Sequence, residues 1–333
     1  MDMKKGEQLE LRGDGKLPSI LVRADNLAEG VREAILRCYD FGARVETPKH
    51  KRGGSLGYDG SIEINVAFPD SEPKVYNPAD VDSPTGDMQY ILEVTHGIHN
   101  HWKKTPQEPL LWGYTYNERF VDQIPFILQR IKNEWEEKGR ITGRDYQFTI
   151  WRPGEDIILE QEDAPCWQRG QFRFIQNQEG EIVMNYFTDW RSRDLLKAWN
   201  QNNLAQVELM KLFRDKTSAM LKIPIELGNY IDHSSSLHLY GLYVDNDGLE
   251  EKIELMRKME PDTIIGSSEF RFTEMSEMGS KEGLMRLIAA QSDAESKGHG
   301  KQQSRQKLEE LGYNIETFPY PTEWDTWPKS WDA

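Results

Sequence analysis

Gln171-Phe172-Arg173-Phe174-Ile175, the turn Gln176-Asn177-Gln178-Glu179-Gly180, and the run from Ile182 to Thr188 form the stretch that decides the class of fold. Polar and apolar residues alternate with a period of two on both sides of a glycine-containing turn, so the segment is a β-hairpin. Just upstream, residues 147–151 read as another strand. Further out the period lengthens. Val121, Ile124, Ile127, Leu128 and Ile131 recur at helical spacing within 118–138, and a further helix is predicted over 86–102. Between 204 and 221 the apolar residues cover too wide an arc for a surface stripe, which predicts a deeply packed helix. Towards the N-terminus a short strand at Ile20-Leu21-Val22 precedes an amphipathic helix over Leu27–Phe41, and an alternating strand carries Ile62, Ile64, Val66 and Phe68. Towards the C-terminus residues 228–244 have strand character, helices are expected near 250–258 and 282–291, and the polar stretch 292–303 reads as a mobile loop or insertion. Strands and helices interleave, so the expected class is α/β (α+β), in one domain over 1–333 with no convincing linker.

Composition sets the outer limits. The chain has 333 residues, 11% of them aromatic, with ten Trp, thirteen Tyr and twelve Phe, which is ample for a large buried core. A net charge of -15 would repel nucleic acid backbones and anionic lipid, so polymeric nucleic acid and membranes are poor partners. Two cysteines make no disulfide framework, and neither a leader nor an apolar run near eighteen residues is present; the reading is a cytoplasmic protein.

Several residues stand out for chemistry. Cys166, in Asp163-Ala164-Pro165-Cys166-Trp167, is held by a proline and a strand edge just before the hairpin. It is either a packed thiol or a nucleophile, and the second needs a nearby cation to stabilise the thiolate. Trp190-Arg191-Ser192-Arg193-Asp194, at the far end of the hairpin, returns a guanidinium and a hydroxyl to where the first strand begins. In Ser236-Leu237-His238-Leu239-Tyr240 the polar residues share one face of a strand, either as a solvated surface or as donors and acceptors for a sugar hydroxyl. The basic loop around Lys49-His50-Lys51-Arg52-Gly53-Gly54 is either a solvated turn or a phosphate cradle. Cys38 reads as a buried small hydrophobe. His96, His99 and His101 fit no closed metal site, so no metal is expected. Trp324, Trp327 and Trp331 are expected to dock rather than to offer a stacking platform.

The order Pro165-Cys166, Gln171-Phe172, Arg191-Ser192-x-Asp194, Asn202, a long apolar helix, and His238-x-Tyr240 resembles the thymidylate synthase family, which includes the pyrimidine nucleotide hydroxymethylases. The likeness covers roughly residues 110–241 and extends more weakly through Tyr114 to Arg119 and through Arg144 to Trp151. It implies a large twisted mixed sheet with helices on one face and a homodimer formed sheet to sheet, with shared active sites. It implies Cys166 as the nucleophile at C6 of a pyrimidine and Arg191 and Ser192 as phosphate ligands, with Arg144 reaching the same phosphate from the other subunit. Asn202 would meet the base edge, Asp194 would join the base-pocket network, and His238 and Tyr240 would hold the ribose hydroxyl. Arg52 is the candidate for a further phosphate ligand and Glu93 for the catalytic glutamate near O4. The cofactor implied is 5,10-methylenetetrahydrofolate.

The chain departs from the family at several points. Arg144-Asp145 replaces a pair of arginines, Ser235-Ser236 replaces Gly-Asp, Trp167 stands where many members have His, and the segment from about 245 does not match. The resulting expectation is a C5 hydroxymethyltransferase acting on CMP, dCMP or dUMP. The alternatives are a divergent thymidylate synthase methylating dUMP and a non-catalytic nucleotide-binding relative.

Overall fold

The computed structural model describes residues 15–46, 54–76, 84–97, 99–100, 113–157, 164–261 and 327–332. Its elements are the strands β1 (Ser19–Ala24), β2 (Ala43–Val45), β3 (Gly57–Val66), β4 (Gln147–Thr149), β5 (Trp167–Gln176), β6 (Ile182–Trp190), β7 (Arg193–Asp194) and β8 (Ile225–Leu239). The helices are α1 (Leu27–Phe41), α2 (Pro84–His96), α3 (Tyr116–Phe120), α4 (Ile124–Lys138), α5 (Pro153–Asp156), α6 (Trp199–Leu221), α7 (Gly241–Asn246) and α8 (Leu249–Lys258). The strands form one eight-stranded sheet in the order β1-β3-β8-β6-β5-β4, with β2 against β3 and β7 against β8. Pairing is mixed: β1 with β3 and β6 with β8 are parallel, while β3 with β8, β5 with β6 and β4 with β5 are antiparallel. The α/β class with a large mixed sheet is as expected.

Alternation decides which face is covered. Val22, Ile62, Ile64, Phe172, Tyr186 and Tyr230 point to the side that carries α1 and α6 and are fully or almost fully buried. The packing is concrete: Phe213 of α6 stacks on Phe172 at 3.7 Å, and Gln206 of α6 accepts a hydrogen bond from the Tyr186 hydroxyl at 2.8 Å. The opposite face carries Leu21 and Ile175 exposed, among polar residues such as Glu63 and Arg173. Helix α1 starts at Asn26, whose side chain accepts from the Glu29 amide, while the Glu29 carboxylate accepts from the Asp25 amide. This reciprocal cap uses backbone donors that no earlier turn can satisfy.

The hairpin was legible, and several boundaries moved. The strand over 171–175 extends back to Trp167, and the helix over 204–221 begins at Trp199. The expected helix over 118–138 is divided into α3, a 3-10 turn over Val121–Gln123, and α4, whose first turn carries Pro125, because proline has no amide for a preceding carbonyl. The strand expected over 228–244 ends at Leu239 and gives way to α7. The expected helix over 282–291 and the polar stretch 292–303 lie outside the described residues. The C-terminal tryptophans dock as expected, as far as they are described. Trp331 is buried with its ring edge on Phe213, and Trp327 donates to Asp332, which pairs with Lys216. Trp324 lies outside the described residues. Cys38 is buried, as expected.

Candidate active site

Two strand irregularities shape this site. On β5, Trp167 pairs with Trp190 and Arg169 with Asp189, so Gln168 is a bulged residue two positions after Cys166. On β8, Leu237 pairs with Gly60 and Ser234 with Ile62, so Ser235-Ser236 form a bulge just before His238. A bulge re-aims the side chains beside it. Cys166 is half-buried at the mouth of β5, and its carbonyl accepts the Arg191 amide at 2.8 Å.

Arg191 brings a cation onto the turn that carries the thiol. Its Nε donates to the Pro165 carbonyl at 3.0 Å and its Nη2 to the Ala164 carbonyl at 2.6 Å, so the guanidinium clasps the turn that presents Cys166. The Arg191 residue remains exposed, and Ser192 beside it is half-buried. Gln168 closes the same turn, donating to the Pro165 carbonyl at 2.7 Å.

The next residues interact electrostatically with Cys166 from other elements. The Tyr240 phenol is pushed up by burial, then by the Asp194 carboxylate and by Cys166. Tyr90 on α2 and Tyr116 at the start of α3 are pushed up chiefly by burial, and both also feel the charge of Cys166. Three phenols therefore lie within electrostatic reach of the thiol. Glu93, one turn of α2 beyond Tyr90, is buried, and burial raises its pKa to about 8. Its Oε2 lies 3.2 Å from Nδ1 of buried His99. With Glu93 protonated this contact is a hydrogen bond rather than an ion pair.

Asp194 pairs with His238 across β7 and β8, which places both on one face. Its Oδ1 accepts from the Leu196 and Lys197 amides at 3.0 and 3.1 Å, and its Oδ2 accepts from the Tyr243 hydroxyl. Asp194 thus builds the turn into α6 and anchors α7. The His238 ring stands edge-on to Tyr240 at 4.5 Å. Asn202, in the first turn of α6, is buried, and its side-chain amide makes no hydrogen bond among the described residues. Arg144 stands apart, exposed on the loop before β4, where its carbonyl accepts from Gln171 at 2.6 Å. Asp145 beside it pairs with Arg130. Arg52 lies outside the described residues. The loop that carries it returns at Ser55, whose amide donates to Asp245 of α7 at 3.1 Å. Any side chain on Gly241 would strike the Ser55 carbonyl, so this close approach requires glycine.

Sequence reasoning missed a buried charge pair beneath the site. Arg193, between the exposed Arg191 and Asp194, turns inward, pairs with Asp232 and bonds Ser234 Oγ at 3.0 Å. Asp232 also accepts from Trp199 Nε1 at 2.9 Å and from Thr188 Oγ1 at 2.8 Å. The Arg193 guanidinium lies 4.2 Å over Trp190, which stacks on Trp167. Trp167 is fully buried in this aromatic layer and does not line the site. Strand alternation alone could have flagged Asp232, a charge placed among the inward positions of β8. Tyr90 and Tyr116 carry no comparable signal, because helix phenols pack in cores as readily as they line pockets.

Among the described residues no group of three or more His, Cys, Asp or Glu could hold a metal ion, and no helix is long and apolar enough to cross a membrane. A cleft lined by Arg23, Asp25, Asn65 and Asn229 opens at the other end of β3 and shares no residue with this site.

No protein-family model matches the sequence, and no curated protein matches it. Among solved structures, the thermostable thymidylate synthase A from Bacillus subtilis is similar at 16% identity and a TM-score of 0.48, over 68% of this chain and 84% of that one. Likeness of that degree assigns no activity.

Proposed function

We propose that the chain is a one-carbon transferase acting on a pyrimidine nucleoside monophosphate, CMP, dCMP or dUMP, and that it leaves a hydroxymethyl group at C5. The observation that carries this reading is the clasp of Arg191 on the turn that presents the half-buried Cys166 thiol, with phenols on α2, on α3 and just after β8 within electrostatic reach of that thiol. A thiol so placed can add to C6 of the ring, and the addition turns C5 into a nucleophile. Arg191 and Ser192 would take the phosphate, the unpartnered Asn202 amide the base edge, and His238 and Tyr240 the sugar. Glu93, protonated at neutral pH by its burial, would donate to O4 or N4 as charge develops there. The flat phenol rings and the protonated carboxyl suit the ring system of a folate, with Tyr90 and Tyr116 the described residues that would meet it. When bound, methylenetetrahydrofolate supplies a carbon at the formaldehyde level. Water added to the resulting exocyclic methylene on the pyrimidine, with expulsion of the Cys166 thiolate from C6, gives the hydroxymethyl product.

Methyl formation would require the site to be sealed from water by the C-terminal segment. The chain departs from the family in that segment and at Ser235-Ser236 before the ribose strand, which favours a site open to water. The reading takes 1–333 as one catalytic domain, supported by the single sheet and by the docking of 327–332 on α6. It takes the chain as a homodimer, supported by the exposed Leu21 and Ile175 on the sheet face that no described helix covers and by the exposed Arg144. The test is to incubate the protein separately with CMP, dCMP and dUMP and methylenetetrahydrofolate and to identify the products by mass spectrometry. A 5-hydroxymethyl nucleotide with release of tetrahydrofolate is expected. Stoichiometric dihydrofolate with a 5-methyl product would establish the synthase reading instead.

A further inference from the structure

Asp59 is a carboxylate that the reading above leaves unused. It lies on β3 directly opposite His238 of β8, so the two side chains share a face. Its Oδ2 accepts from Ser236 Oγ at 2.9 Å, and Ser236 Oγ lies 3.2 Å from Nδ1 of His238. The bulge at Ser235-Ser236 brings these three residues together. The second carboxylate oxygen, Oδ1, is buried and accepts no hydrogen bond among the described residues. Burial pushes the Asp59 pKa up, against the pull of Ser236, His238 and the Gly60 amide. A carboxylate oxygen removed from water without a donor is costly, and a ligand hydroxyl would supply that donor.

We propose that Asp59 reads the sugar: Oδ1 accepts a hydrogen bond from a 2′-hydroxyl, so the site takes ribonucleotides in preference to 2′-deoxyribonucleotides. This rests on the nucleotide-site reading. If His238 and Tyr240 hold one ring hydroxyl, the cross-strand neighbour of His238 is positioned for the adjacent one, and a carboxylate is a suitable acceptor for a ribose hydroxyl. A 2′-deoxy sugar offers nothing to Oδ1. Were Asp59 only a tie between β3 and β8, its removal would weaken all nucleotides alike.

The experiment is calorimetric titration of the full chain, wild type and Asp59→Ala, with CMP, dCMP, UMP, dUMP and 2′-fluoro-2′-deoxy-CMP. The wild type is expected to bind each ribonucleotide about tenfold or more tighter than its deoxy counterpart, as loss of a hydrogen bond to a charged group implies. The 2′-fluoro compound should bind as weakly as dCMP, because fluorine cannot donate. Asp59→Ala should bring the ribo to deoxy ratio within about twofold. A ratio that survives the substitution overturns the proposal. If the variant does not fold, the wild-type series decides: indifference to the 2′ position, a preference for deoxy, or a 2′-fluoro compound that binds like CMP each overturns it. Failure of every nucleotide to bind the wild type would overturn the nucleotide-site reading itself, and with it this role for Asp59.

Discussion

Replacing Glu93 by glutamine removes a proton that the fold retains and the unfolded chain does not. Burial raises the folded pKa from 4.5 to about 8. Below pH 4.5 both states are protonated and the carboxyl contributes fully. As the pH climbs through the window up to about 8 the unfolded chain releases the proton while the folded chain keeps it, so stability falls at up to about 1.4 kcal/mol per pH unit. Between pH 5.5 and 7.5 this loss comes to about 2.5 kcal/mol. Glutamine does not titrate, so the stability of the wild type minus that of Glu93→Gln isolates the carboxyl, together with its contact to His99, from the titrating groups elsewhere in the chain. Urea unfolding of both proteins at pH 5.5, 6.5 and 7.5 measures it. With an m value of about 3 kcal/mol/M, the wild-type midpoint should fall relative to the variant by ~0.8 M across that range. A difference constant to within about 0.5 kcal/mol would show that Glu93 is ionised in the fold, and would remove its role as a proton donor at neutral pH.

The other expectations concern the thiol, the buried pair and the subunit arrangement. Cys166→Ser should abolish turnover while nucleotide affinity stays within about tenfold, measured by steady-state assay and calorimetry; retained turnover would remove the covalent mechanism. Asp232→Asn should cost about 3 to 5 kcal/mol in urea unfolding, because it leaves the Arg193 guanidinium buried without its anion, and a loss below 1 kcal/mol would show that Arg193 reaches water. Mixing Cys166→Ser with Arg144→Ala should restore activity, because a hybrid dimer contains one site with both native residues; absence of rescue, with subunit exchange shown independently, would place Arg144 outside its partner's site.

How much was legible follows the range of each interaction. The alternation in 171–175 and 182–188 identified β5 and β6, and the helical spacing in 27–41 marked α1 to its ends, because one-sided burial leaves its period in the chain. The breaks were harder to read. A strand pattern running through Tyr240 does not reveal that the backbone turns into α7 at Gly241, where the limit is set by the Ser55 carbonyl from a segment far away in sequence. The site divides in the same way. Pro165-Cys166, Arg191-Ser192, Asn202 and His238-x-Tyr240 were visible as chemical types in order, but nothing local showed that Arg191 would clasp the cysteine turn. In Arg191-Ser192-Arg193 the sequence offers two equivalent guanidiniums, and only the sheet distinguishes them: β7 beside β8 turns Arg193 onto Asp232 while Arg191 stays at the surface. Glu93 was a candidate only through the family resemblance, with nothing local to show its raised pKa, and Asp59 was an ordinary acid until β3 was packed. Sequence by itself determined the periods, the class of fold and the inventory of reactive groups, since these depend on neighbours along the chain. Tertiary structure alone decided which groups meet and which keep their protons, because burial and Coulomb energy depend on distance in space.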